Sequence, residues 1–249
     1  MRIFRIDLHI HSALSACADD EMTPPAIVEA AQRAGLEMIA ICDHNAAGNT
    51  AAIQAAAGPS PVVLAGMEIT TAEEAHVVGL FPCPEAAERA AAEVRAALPH
   101  ADALRRGVPR RGFGAQRLMT PDGVCCGLDD ALLSAASALS LSDAVDVVRR
   151  HGGLAVAAHV DRPSFSVPAQ LGMMPADVRF DAIEISAAGA RRGREAEFAA
   201  LELPILFGSD SHSLEEIGAA CTMLRAAEPS FAELALALQA RAGREVGRA

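Results

Sequence analysis

The chain has 249 residues, 51% of them apolar and none of them Trp or Tyr, which predicts one globular domain with a sizeable core and excludes a disordered chain. Its formal net charge of −11 argues against general affinity for nucleic-acid backbones or anionic membranes, while a local basic patch could still hold a phosphate. All 21 basic side chains are arginine, so a Schiff-base lysine, a Walker A lysine and a carbamylated-lysine metal bridge are excluded.

Taken in order, the chain opens with RIDLHIHS, a strand whose His9 and His11 stand at i and i+2 on one face, so that both imidazoles can reach a single ion. A turn leads to a helix that Thr23 could cap and Pro24 could open, with apolar residues at helical spacing to Leu36 and Gly35 as its stop. EMIAICDHN is an apolar strand ending in Asp43 and His44. NTAAIQAAAG reads as a short helix. PVVLAGMEITT is a third strand that delivers Glu68 into an apolar setting, where a carboxylate needs a cation or strong donors. AHVVGLF follows with His76 at its head, and PEAAERAAAEVRAAL is an alanine-rich outer helix.

From about 100 to 130 the periodicity lapses, and this stretch is read as an insertion in which RLMTPDGVCCG forms a hairpin turning at Asp122 and Gly123. SLSDAVDVVRRHGG resumes as a helix with Ser142 as cap and Gly152 as stop, and GLAVAAHVDRP is a strand ending in His159. FDAIEIS is a strand, REAEFAALEL a helix, and PILFGSDSH a strand that supplies Asp210 and His212. SLEEIGAACTMLRA and FAELALALQARAG read as two closing helices. Strands alternating with helices predict an α/β protein with a parallel sheet, and ligand-type residues at successive strand ends favour a closed barrel occupying residues 1–249 as one domain. The six cysteines are dispersed and read as reduced thiols. With no apolar leader and no membrane-length apolar run, the expected location is the cytoplasm, without a membrane partner.

The strand ends collect His9, His11, His44, Glu68, His76, His159, Asp210 and His212, six of the chain's eight histidines among them. So many polar side chains around one barrel mouth would be costly to bury without metal. They also exceed one ion's needs, so two or three clustered divalent ions are expected, and such clusters suit displacement at phosphorus.

DLHIHS, CDHN, GMEIT, AAHVDRP and GSDSH, in that order, resemble the motifs of the PHP (polymerase and histidinol phosphatase) superfamily. The resemblance implies a distorted (β/α)7 TIM-like barrel with a trinuclear zinc, manganese or iron centre at the C-terminal strand ends, and hydrolysis of phosphate esters. Carried across, His9, His11, Glu68 and Asp210 would hold the first ion; Glu68 as bridge, His76 and His159 the second; His44 and His212 the third. Asp43 would orient His44 or a neighbour. One departure stands out: relatives place an Asp or His five or six residues after the second histidine, where this chain has Ala16 and Cys17. Asp19 is then the candidate ligand for the third ion, with Cys17 and Asp20 as rivals.

Arg162, Arg191 and Arg192 follow strand ends, and Arg110, Arg111 and Arg117 lie in the insertion, all placed to recruit an anion. The expected activity is that of a metal-dependent phosphoesterase acting on a small phosphorylated metabolite or nucleotide. A metal-bridging hydroxide would attack phosphorus, His212 or Asp210 would assist proton transfer to the leaving group, and the insertion would wall the pocket. A phosphatase is favoured over a phosphodiesterase, with no stable nucleic-acid partner, because the barrel carries no further nucleic-acid domain. The alternatives are amidohydrolase-like hydrolysis of a carbon-centred bond and a non-catalytic metal-binding PHP module. No motif addresses the oligomeric state.

Overall fold

The structure, a computed structural model, describes residues 1–100 and 114–248. Residues 101–113, with Arg110, Arg111 and much of the expected insertion, lie outside the described residues. Strand β1 (Arg2–Ile10) leads to α1 (Pro24–Arg33), β2 (Met38–Ile41), α2 (Thr50–Ala57), β3 (Val62–Thr70), β4 (His76–Phe81) and α3 (Pro84–Ala96). The hairpin β5 (Arg117–Met119) and β6 (Cys125–Leu128) turns where expected, with Gly123 at φ +84° and its N–H donating to Thr120 O at 2.9 Å. Then come α4 (Leu141–Arg150), β7 (Leu154–Ala157), α5 (Val167–Leu171), β8 (Ala182–Ser186), α6 (Ala187–Arg192) and a 3-10 helix (Arg194–Leu201). The chain ends with β9 (Ile205–Gly208), β10 (Thr222–Ala226), α7 (Phe231–Leu238), a 3-10 turn (Arg241–Gly243) and β11 (Glu245–Arg248). Among the described residues, no helix is long and apolar enough to cross a membrane.

The main sheet runs β11-β10-β1-β2-β3-β4-β7-β8-β9. Within it, the seven strands from β1 to β9 that the sequence predicts lie side by side in chain order and curl until their ends meet. Beyond β9, Ser211 bridges Ile10 in parallel: His11 N–H donates to Ser211 O at 3.0 Å and Ser211 N–H to His9 O at 3.3 Å. The buried Asp7 carboxylate reinforces this seam by accepting from Ser209 N at 3.1 Å and Gly218 N at 3.0 Å. Burial pushes its pKa up to about 6. The architecture is therefore a nearly closed α/β barrel, with the β10–β11 pair laid antiparallel along the start of β1.

Five expectations need correction. The sheet is not parallel throughout, because β4 runs antiparallel to both β3 and β7; the link between β3 and β4 is a tight turn, far short of a crossover. SLEEIGAACTMLRA is not a helix. It is a run of turns, in which Gly218 adopts φ +78°, followed by β10 with the inside–outside burial of a strand. The final helix stops at Leu238 and a short strand, β11, follows it. The cap of α4 is Ser140 rather than Ser142: Ser140 Oγ accepts from Asp143 N, and Asp143 closes a capping box. REAEFAALEL coils as a 3-10 helix, tighter than the expected α-helix.

The barrel interior explains why the polar strand ends converge. Met38, Ala40, Leu64, Val78, Leu80, Val156, Ala182 and Leu206 pack in one apolar cluster, capped at the bottom by Leu234, Ala237 and Leu238 of α7. Because side chains alternate along a strand, the next inward positions above Leu64, Ala182 and Leu206 run through Gly66 to Glu68, to Glu184, and through Gly208 to Asp210. Gly208 is demanded by space: a Cβ there would sit 2.3 Å from Glu184 Oε2 and 3.1 Å from His9 Cβ.

A candidate metal centre at the barrel mouth

Glu68, at the end of β3 and 1% exposed, is the hub. Its Oε1 lies 2.7 Å from His76 Nδ1, 3.1 Å from His159 Nε2 and 3.4 Å from His9 Nε2, and its Oε2 lies 3.0 Å from His44 Nδ1. Asp210 Oδ1 faces His11 Nε2 at 3.0 Å and His9 Nε2 at 3.3 Å. The reversal of β4 is what brings His76 here, since an antiparallel strand presents its start where its neighbours present their ends. Backbone strain gathers at the same place: His159 has φ +28° and Asp210 φ +51°, both unusual for side-chain-bearing residues.

Among the described residues, three groups of side chains bring ligand atoms within 4.8 Å of one another: His9, His11, Glu68 and Asp210; His44, Glu68 and His76; and His11, His44 and His212. His159 stands outside them and hydrogen-bonds Glu68 instead. The nitrogens His9 Nε2, His44 Nδ1 and His76 Nδ1 are buried and make no hydrogen bond, although carboxylate oxygens lie within 2.7–3.4 Å of them. Donors that crowd together without sharing protons are arranged for a shared cation, and imidazole with carboxylate is the donor chemistry of zinc, manganese and iron. The residues present thus fit the metals that the motifs imply.

The electrostatics agree. Burial alone would raise the Glu68 carboxyl, but His76, His9 and His44 hold it well below the usual range. Asp210 likewise stays low against burial because of His9 and His11. Burial opposes charge on His9, yet Glu184, Asp210 and Glu68 raise its pKa well above the ordinary value. His11 goes the other way, lowered by burial and by its neighbour His212. His44 rises to about 10 against burial because of Glu68, and His212 to about 9 because of Cys17 and Asp210. The Cys17 thiol, which burial would raise, is brought down to about 7 by hydrogen bonds to His212 and His44.

A surrounding layer fixes these groups. Glu184, in FDAIEIS, accepts from His9 Nδ1 at 3.0 and 3.1 Å and from His159 N at 3.2 Å. Sequence reasoning missed it, although it is an isolated carboxylate in an apolar strand, the same signal that exposed Glu68. Asp43 touches none of the grouped ligand atoms. It accepts from Ser12 N and Oγ at 2.7 and 2.6 Å and from Ser15 Oγ at 2.7 Å, and Ser15 Oγ in turn meets His11 Nδ1 at 2.9 Å. Asp43 therefore steadies His11 through a serine. The exposed Phe165 ring stacks on His76 with centroids 4.9 Å apart.

Two expectations about anions and ligands are revised by one ion pair. Arg117 forks the Asp20 carboxylate at 3.0 and 2.6 Å, so neither residue is turned to the centre. Asp19 is exposed and outside the three groups; what reaches the site is its backbone N–H, which donates to His212 O at 2.9 Å. Arg162 pairs with Asp210 Oδ2. Beside it, a cavity of 330 Å³ is lined by Arg191, Arg192, Arg194 and Asp210. Arg194, which sequence reasoning passed over, is also held by Glu197 and by Asp161 O.

A PHP domain model matches residues 7–109, and a model of the PHP-associated region matches residues 192–242. No curated protein matches the chain. Among solved structures, the lesion-specific endonuclease Q of Pyrococcus furiosus is 17% identical with a TM-score of 0.71, over 98% of this chain and 58% of that one. Endonuclease Q in complex with a 27-mer duplex bearing an abasic lesion at its active site is 16% identical, with a TM-score of 0.67 over the same shares. The chain thus spans 58% of the length of these endonucleases. A structure from Bifidobacterium adolescentis, described as a metal-dependent phosphoesterase, is 24% identical with a TM-score of 0.53, over 83% of this chain and 87% of that one.

These likenesses correct the expectation of a small substrate and no nucleic-acid partner. A protein of the same fold holds duplex DNA at its active site, and a net charge summed over a whole chain does not govern a mouth lined locally by arginines. The models match both ends of the barrel, the stretch that brings His9, His11, His44 and Glu68 and the stretch that brings Asp210 and His212, so the chain carries a PHP domain and a PHP-associated region.

Proposed function

We propose that the chain is a metal-dependent phosphoesterase that hydrolyses phosphate esters at the barrel mouth, with phosphodiesters of nucleic acid among its substrates. The observation that carries this reading is the set of buried imidazole nitrogens crowded against Glu68 and Asp210 without hydrogen bonds, beside a cavity walled by arginines. His9, His11, Glu68 and Asp210 would hold one ion, Glu68 with His76 and His44 or His159 a second, and His44 with His212 a third. When bound, divalent zinc, manganese or iron would supply a water acidified toward neutral pH and positive charge for the phosphoryl oxygens.

The chain's own residues do the rest. Arg162, anchored on Asp210, and Arg191 and Arg192 across the cavity bind the non-reacting oxygens of the ester. Glu184 and Ser15 fix the rings of His9 and His11, so that one nitrogen of each is turned inward. His212, part-buried at the rim, is held by its Nδ1 hydrogen bond to Asp210 O at 2.9 Å, which leaves Nε2 free for the third ion. The nucleic-acid arm of the reading is supported by the DNA-bound endonuclease Q of the same fold.

Purified protein loaded with manganese should release product from at least one member of a panel of phosphate monoesters, simple diesters and duplex oligonucleotides with and without an abasic site. Asp210→Ala should abolish that turnover. Absence of turnover with every member while metal is bound would overturn the proposal. Cleavage of monoesters alone would remove its nucleic-acid part.

A further inference from the structure

Among the described residues, Phe165 is the one exposed phenylalanine, 44% open to solvent, while Phe4, Phe81, Phe180 and Phe207 are buried. It belongs to none of the apolar clusters of the core. It stands instead at the mouth, where its ring stacks on His76 with centroids 4.9 Å apart and planes 23° from parallel. His76 is in turn a member of one of the three groups of ligand atoms. With one ring face laid against the imidazole, the exposure belongs to the other face.

The backbone holds the ring there against its own preference. Phe165 has φ +57°, a left-handed conformation that a bulky side chain disfavours and a glycine would adopt without strain. Hydrogen bonds fasten the turn on each side: His76 N–H donates to Phe165 O at 2.8 Å, Ser166 Oγ–H to Arg162 O at 2.7 Å, and Arg162 N–H to His159 O at 2.9 Å. Strain of this kind gathers where a site uses the side chain it presents. The same turn carries Arg162, which pairs with Asp210 Oδ2 and lines the arginine-walled cavity. A cation suited to phosphate and an open aromatic face therefore stand three residues apart on one fastened loop.

Resting on the phosphoesterase reading above, we propose that Phe165 is the platform on which a nucleobase of the substrate stacks. Phosphate esters that carry a base, as mononucleotides or as nucleotide chains, are then preferred over those of sugars alone. Stacking on an aromatic face suits a flat ring and is tolerant of sequence, because every base has a π-face. The platform accordingly separates base-bearing from base-free esters without choosing among the bases.

Steady-state kinetics on metal-loaded protein can compare a deoxynucleoside 5′-monophosphate with deoxyribose 5-phosphate, and a single-stranded oligonucleotide with the same strand built of abasic residues. The wild type should favour the base-bearing member of a pair. Phe165→Leu should lower kcat/KM on that member about 10-fold, in the range of a lost base–aromatic stack, and change it less than about threefold on the base-free member. Phe165→Trp should keep the preference, and both variants should bind as much metal as the wild type by elemental analysis. A preference confined to the first pair assigns the platform to small nucleotides, and one confined to the second assigns it to nucleic acid. Equal losses on both members, or a loss of metal that accounts for them, overturn the inference and leave Phe165 as a brace for His76. If the wild type with metal bound turns over none of the four, the phosphoesterase reading falls and binding decides the inference alone. The chain has no Trp of its own, so the fluorescence of zinc-loaded Phe165→Trp should be quenched by a base-bearing ligand and not by deoxyribose 5-phosphate. Phe231→Trp, packed against the apolar cluster at the bottom of the barrel, should respond to neither. Equal responses of Phe165→Trp to base-bearing and base-free ligands overturn the platform.

Discussion

Glu184 belongs to none of the groups that would hold metal, yet it decides how His9 can act. Both of its oxygens lie about 3 Å from His9 Nδ1, so this nitrogen carries a proton, and Nε2, which faces Glu68 and Asp210, is the one that would release its proton to ligate an ion. A carboxylate behind a ligating imidazole orients the ring and raises its basicity, and removing such a partner typically weakens metal binding about 10–100-fold. Glu184→Gln keeps the size of the side chain and removes its charge, so the loss should fall in that range. Competition against a chromophoric chelator measures it; affinity equal to the wild type would mean that the ring is held by packing alone. The role was hard to see in the sequence, because FDAIEIS shows an inward carboxylate without showing which strand lies beside it.

At the level of elements, what the sequence displayed and what it hid have distinct causes. The strands that end in Asp43 and His44, or in Asp210 and His212, were legible because an apolar run that stops at metal-ligand residues is a local pattern. Barrel order followed from it. The direction of β4 was also on view, in a link from Thr71 to Ala75 too short to cross the sheet, but the alternating rhythm of the chain suggested a parallel strand. In β10, apolar spacing in EEIGAACTML fits a helix as well as a strand, and Gly218 with the pairing offered by β1 decides the matter. SLSD shows the same ambiguity at small scale, since two serines compete for one cap and only the box with Asp143 selects Ser140. Ser140→Ala should therefore cost about 1 kcal/mol in urea unfolding, within the ordinary range for a lost cap. Ser142→Ala, on the exposed face of α4, should change stability by a few tenths at most. Equal effects of the two substitutions would count against the capping box.

Over the whole molecule, the barrel gathers seven strand ends and so concentrates buried charge at one mouth, which makes folding, protons and metal compete for the same atoms. In the metal-free protein His44 and His212 have pKa values raised to about 10 and about 9, against opposing burial, by Glu68 and by Cys17 with Asp210. A group whose folded pKa lies above its unfolded value stabilises the fold fully below the unfolded pKa, and that contribution is lost as pH rises through the folded one. The metal-free barrel should therefore lose stability progressively between about pH 6.5 and 10. Metal acts in the opposite sense. Imidazole must be neutral to ligate, so each ion displaces protons, and affinity rises with pH as fewer protons remain to be displaced. An ion present at 100 times its Kd stabilises the folded state by about 2.7 kcal/mol, and the gain shrinks as Kd weakens. The gap in Tm between metal-loaded and chelator-stripped protein should then widen from pH 6 to pH 9, and calorimetry in buffers of different ionisation enthalpy should register proton release on metal binding. A gap independent of pH, with no protons released, would show that the histidines at the mouth are already neutral in the metal-free fold, and that Glu68 and Asp210 are satisfied there by something other than imidazolium.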